Sequence, residues 1–129
     1  MLRLYRRLHQ RSSLAFLGEL TRALPFRIRK LQCDNGREFP LEFVLAVEAS
    51  CIRHRYIRPR RPQQNGKVER SHRINQEEFW GRHRFDDFNA AATALRAWER
   101  TYNYERFSLA LQGRTPAEKL AGALPSAAA

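Results

Sequence analysis

The chain is poor in cysteine, aspartate and lysine, and it has no long apolar run; each shortage excludes something. Its two cysteines, Cys33 and Cys51, lack CxxC spacing and have no paired histidines behind them, which argues against a zinc finger. Two unpaired thiols fit a reduced, intracellular setting. No stretch approaches the length of a membrane span, and the opening MLRLYRRLHQRSS lacks the apolar segment of a secretion leader. That opening is basic and acid-poor, as transit peptides are, but the continuous pattern downstream disfavours a transit reading. With 129 residues there is length for one modest core.

What is abundant is arginine. Lys30, Lys67 and Lys119 are the only lysines, yet Lys plus Arg total 24 against 13 acids, a net charge of +11 and a pI near 11.0. Guanidinium forks match phosphate oxygens bidentately, so a polyanionic partner is the first expectation. A GC-rich genome explains arginine in place of lysine but leaves the excess of cations unexplained.

The apolar pattern predicts a mixed α/β chain. Residues 12–24, SSLAFLGELTRAL, open on a serine cap and place Leu14, Leu17, Leu20 and Leu24 at helical spacing, with Pro25 as the stop. Residues 26–34 read as a strand with Phe26 and Ile28 on one face and Leu31 and Cys33 on the other, as an interior strand would have. A helix follows through Pro40 with Phe39, Phe43 and Val47 on one stripe, and Ile52 to Ile57 reads as a second strand. RPRRPQQNG, from Arg58 to Gly66, predicts a solvent-facing loop. Between Lys67 and Glu78 only Val68 and Ile74 are apolar, so that helix is either marginal or has a charged partner to cover it, with Phe79 and Trp80 as anchors at its end. A helix over 86–104 carries Phe88, Ala92, Leu95, Trp98 and Tyr102 as a packing stripe, and TPAEKL at 115–120 predicts a capping box.

Two acids stand out against this background. Asp34 ends the first strand at an Asn-Gly turn, where turn chemistry alone accounts for it. Glu69 follows 35 positions later, near the start of the polar helix, with a helix, a strand and a loop between them. A strand-end aspartate and a helix-borne glutamate that converge can chelate a divalent cation through oxygen, and two such ions clamp the oxygens of a phosphodiester exchange. His54 and His72 read as surface or phosphate-facing residues, and Cys33 as a small buried strand residue.

Three segments carry a family resemblance. CDNGREF resembles the T-D-N-G-x-E-F segment of DDE integrase and transposase catalytic cores. RPQQNGKVERSHR resembles their P-x-x-N-G-x-x-E-R segment, and YNYERFSLALQGRTPAEKL is similar to the Y-N-x-x-R-x-H-x-A-L-x-G-x-T-P-A-E tail of bacterial insertion-sequence transposases. Together they span about residues 14–120, in order and correctly spaced. The resemblance implies an RNase H-like fold that lacks its first strands. Residues 1–84 would form a partial integrase catalytic core, and 85–129 a C-terminal helical tail. It implies magnesium or manganese as cofactor, transposon-end and target DNA as partners, homo-oligomerisation, and a cytoplasmic, nucleoid-associated place in a bacterium without membrane contact. Asp34 and Glu69 would be the second and third acids of the catalytic, metal-binding triad. Arg58, Arg60, Arg61, Asn65, Lys67, Arg70 and Arg73 would contact DNA, and Gly36 and Gly66 would shape turns.

The departures set the expected activity. The only aspartates are Asp34, Asp86 and Asp87, and Glu19, the one acid before Asp34, falls on an amphipathic helix. The first acid of the triad is therefore missing, and residues 1–8 would retain at most part of a third strand. Gln76 stands where relatives carry a basic residue, and Phe107 and Ser108 replace a proline and a histidine. The expectation is an integrase or transposase fragment, inactive alone, that belongs to a family of metal-dependent DNA cleavage and strand transfer. The alternative is a non-catalytic basic nucleic-acid-binding remnant. A ribosome-associated basic protein would leave the two spaced acidic motifs unexplained.

Overall fold

A computed structural model describes residues 1–34, 36, 38–57 and 66–124. The chain forms two compact units, Tyr5–Arg84 and Met1–Leu4 with the chain from Phe85 onward. Among the described residues no helix is long and apolar enough to cross a membrane.

In the Tyr5–Arg84 unit, helix α1 spans Gln10–Ala23 and starts two residues before the expected serine cap. His9 is the cap instead: its Nδ1 accepts from the Arg11 N–H at 3.2 Å, and its carbonyl accepts from the N–H groups of Ser12 and Ser13. Ser12 is thereby drawn into the first turn, where its hydroxyl donates to the Arg7 carbonyl. Residues 1–8 contain no strand, so the expected piece of a third strand is absent there.

Strand β1 is Lys30–Cys33 and strand β2 is Arg53–Tyr56. They pair in parallel, Lys30 opposite Arg53 and Cys33 opposite Tyr56. The first strand is shorter than its apolar residues suggest, and its two faces are not both apolar. Leu31 and Cys33 turn to the core while Lys30 and Gln32 are exposed; Ile28 reaches the same core because it precedes the strand and escapes its alternation.

Helix α2, Leu41–Ala49, makes the parallel crossover. Pro40 is its cap, outside the helix proper, and leaves no N–H to satisfy. Its other end is a Schellman motif: the Cys51 N–H donates to Glu48 O at 2.8 Å and the Ile52 N–H to Val47 O at 3.1 Å. Cys51 takes the left-handed position, φ 56°, that glycine usually fills. Val47 and Ile52, brought together by the motif, join Leu17, Cys33 and Phe43 in the buried core, with Leu14, Leu31, Phe39 and Ala46 against it. Each such side chain taken from water contributes roughly 1.5–3 kcal/mol.

Helix α3, Gly66–Asn75, is built differently. It buries only Asn75, Val68 is 47% exposed, and it runs into a π-turn at Gln76–Trp80. The wider turn swings Phe79 inward to 2% exposure, with the Trp80 and His83 rings beside it at 4.7 and 5.2 Å. The expected anchors at the end of the polar helix are there.

In the second unit, helix α4 spans Phe88–Tyr104. Asp87 caps it by accepting from the N–H groups of Asn89 and Ala90 at 2.6 and 2.9 Å, and Ala91 and Leu95 are buried. Glu99 on this helix takes the Arg3 guanidinium at 2.9 Å and the Met1 ammonium at 3.8 Å. Helix α5, Pro116–Ala121, has the expected capping box: the Glu118 N–H donates to Thr115 Oγ1 and the Thr115 N–H to Glu118 Oε2.

Candidate metal and nucleic-acid site

Parallel pairing places the carboxyl ends of β1 and β2 at one edge, and open α/β sheets bind their ligands there. Asp34 is the first residue past β1 and is exposed; its Oδ1 accepts from the Gly36 N–H at 3.1 Å, closing an Asx turn. β2 leaves the sheet at the same edge, where the Ile57 N–H donates to the Cys33 carbonyl at 2.8 Å. Tyr56 adds a second tie, its hydroxyl donating to Phe39 O at 2.9 Å. Phe39 is thus fastened to the end of β2. Nothing in the spacing singled out Tyr56 for this; an aromatic at a strand end is its only sequence signal.

Gly36 does more than turn the chain. A Cβ there would stand 2.5 Å from a Glu38 carboxylate oxygen, so the Glu38 side chain lies over the glycine. Glu38 is the glutamate of the CDNGREF segment. Its charge is felt next door: burial first, then Asp34 and Glu38, push the Cys33 thiol up to about 11. Cys33 is the buried strand residue its position suggests.

Glu69 lies in the first turn of α3 and is exposed, as are Lys67, Arg70, His72 and Arg73. Arg73 stands one turn beyond Glu69, on the same helical face. Gly66 is the first residue of α3, with open space where a Cβ would stand. Arg58, Arg60, Arg61 and Asn65 lie outside the described residues. Asp34 and Glu69 belong to the same compact unit. Among the described residues no three His, Cys, Asp or Glu side chains gather as a metal site.

His54 departs from the surface reading. Its ring is edge-on to Tyr56 at 4.5 Å and to Phe43 at 6.4 Å, and its Nε2 is buried without a hydrogen-bond partner among the described residues. Position 54 faces Leu31 across the register, on the core side of the sheet.

The integrase core domain family matches residues 50–116, just over half of the chain. The catalytic core domain of BIV integrase, known from a crystal structure, superposes with a TM-score of 0.70 at 20% identity, over 92% of this chain and 75% of that one. An intasome of simian T-cell lymphotropic virus, solved by electron cryomicroscopy with PP2A regulatory subunit B56 gamma, gives 0.62 at 25% identity. That match covers 81% of this chain and 37% of the other, so the present chain spans little over a third of its length. No curated protein matches by sequence. The likeness establishes a partial RNase H-like fold, and DNA integration of the integrase or transposase type is the function it supports. The chain belongs to the integrase core domain family.

Proposed function

We propose that this chain binds DNA as part of an integrase or transposase core, with Asp34 and Glu69 as the two carboxylates of a divalent-metal site. The observation that carries the reading is the exposed aspartate at the shared carboxyl edge of the parallel strands, in the CDNGREF segment that resembles the family's T-D-N-G-x-E-F. Carboxylate oxygens suit Mg2+ or Mn2+, and the integrase core family is generally dependent on divalent metal. When bound, such an ion polarises a phosphodiester oxygen and favours a nucleophile at neutral pH. Asp34 would offer the carboxylate oxygen not engaged by Gly36, and Glu69 a carboxylate that α3 keeps in solvent. Lys67, Arg70 and Arg73 would neutralise and position a phosphate strand along α3, and Arg58, Arg60, Arg61 and Asn65 would extend that contact. Transposon-end and target DNA are the proposed partners, with a homo-oligomer as the working assembly and the bacterial cytoplasm, at the nucleoid, as its place. The proposed division assigns residues 1–84 to the catalytic core and 85–129 to its helical extension.

The 129-residue chain has no aspartate ahead of Asp34, so a bridging ligand for a second ion is lacking within it. Misplacing reacting atoms by about an ångström costs on the order of a hundredfold in rate. The chain alone therefore carries out negligible strand transfer. A second reading, a non-catalytic basic nucleic-acid-binding protein, draws on the excess of cations, a net charge of +11. A labelled duplex incubated with the purified chain tests both. Binding that weakens steeply with salt, without divalent-dependent nicking, is the expected result. Robust nicking abolished by Glu69→Gln would support the site and overturn the inactivity; absent or salt-insensitive binding would remove both readings.

A further inference from the structure

The two strands present unlike faces. Leu31 and Cys33 pack into the core, with His54 and Tyr56 across from them in register. The opposite face pairs Lys30 with Arg53 and Gln32 with Arg55, and all four residues are exposed. Among the described residues no carboxylate makes an ion pair with Lys30, Arg53 or Arg55. Parallel sheets are ordinarily covered on both faces, yet this face is open and cationic. Like charges directly opposite each other on a sheet are destabilising, so the Lys30–Arg53 pair costs the free protein stability that a polyanion laid across it would restore.

We propose that this open face of β1 and β2, through Lys30, Arg53 and Arg55, is a second DNA-backbone surface, separate from α3. Arg53 and Arg55 are two residues apart, about 6.6 Å along a strand. That is close to two axial steps of one DNA strand, at about 3.4 Å per phosphate. Lys30 stands on the neighbouring strand, about 4.8 Å to the side. Three cations in this arrangement follow a phosphate chain and read no bases, so the surface holds duplex DNA without regard to sequence. The inference rests on DNA being the partner and adds where a second length of it lies.

The test compares the wild type, the triple variant Lys30→Gln/Arg53→Gln/Arg55→Gln and the helix variant Arg70→Gln/Arg73→Gln, titrated with a duplex of arbitrary sequence over a salt series. Losing three phosphate contacts lowers the slope of log affinity on log salt by about 2.7. The triple variant's thermal midpoint stays level or rises, because a like-charge pair has gone. A slope lowered by less than one, or a drop confined to the helix variant while the triple variant binds as wild type does, overturns the sheet surface and leaves the DNA reading standing. Wild type that does not bind at all removes the DNA reading itself, and this inference with it. Lysine acetylation of the unaltered chain gives an answer independent of any variant's folding. Saturating duplex protects Lys30 relative to Lys119 if the surface is real, and equal modification of the two overturns it.

Discussion

Helices α2 and α3 each follow a strand of the sheet in the chain, yet opposite physics builds them. α2 buries Phe43 and Val47 to 3% and 0% exposure and is closed at both ends, by Pro40 and by a Schellman motif. α3 buries a single asparagine, shows Val68 to solvent, and runs on into the π-turn that buries Phe79. α2 is made by the core; α3 is mostly exposed, and its cations are stabilised by whatever anion they meet. A helix of that kind leaves its charged groups to solvent, and Glu69, in its first turn, is one of them.

The contrast can be broken by mutation. Phe43→Ala should destabilise the Tyr5–Arg84 unit by ~4 kcal/mol, read from denaturant unfolding, because the core around it is fully closed. Phe79→Ala should cost less, ~3 kcal/mol, since its aromatic neighbours can collapse inward, and α3 amides should lose hydrogen-exchange protection well before those of α2. Equal loss of protection in both helices would contradict the contrast between them.

Cys33 reports on the same core without mutation. Its thiol, raised from 9.0 to about 11, should react with iodoacetamide far more slowly than exposed Cys51; at neutral pH its thiolate is on the order of a hundredfold scarcer than for an unshifted thiol. Because the raised value favours the neutral form in the fold, this contribution to stability is complete below pH 9.0 and is lost as pH rises through about 11. Smallest of all, Val68→Ala on the open face of α3 should change stability by no more than ~0.5 kcal/mol.

Local chemistry made much of this readable in advance. The Phe39, Phe43 and Val47 stripe, the proline entry to α2 and the Thr115–Glu118 capping box depend on neighbours within a few residues, and all three are present. The misreadings were choices between competing local partners. A histidine ring cap at His9 displaced the usual serine, and Ile28 met the core from outside a strand. His54, in RHRY, reads as a surface or phosphate-facing residue, but parallel register turns it toward Phe43. Asp34 and Glu69 came from motifs, whereas Tyr56 and Glu38, which shape the Asp34 turn, depend on a contact across the strands and on a side chain folding back over Gly36. In the order of residues Tyr56 shows only as an aromatic at a strand end, and Glu38 only as the glutamate of CDNGREF.

The central claim is that Asp34 and Glu69 hold one cation together. Titration of Mn2+ into the wild-type chain, followed by electron paramagnetic resonance, tests it without requiring turnover. The account predicts one bound ion, displaced by excess Mg2+, and lost alike in Asp34→Asn and in Glu69→Gln. Undiminished Mn2+ binding in either variant, or no binding by the wild type, would contradict it.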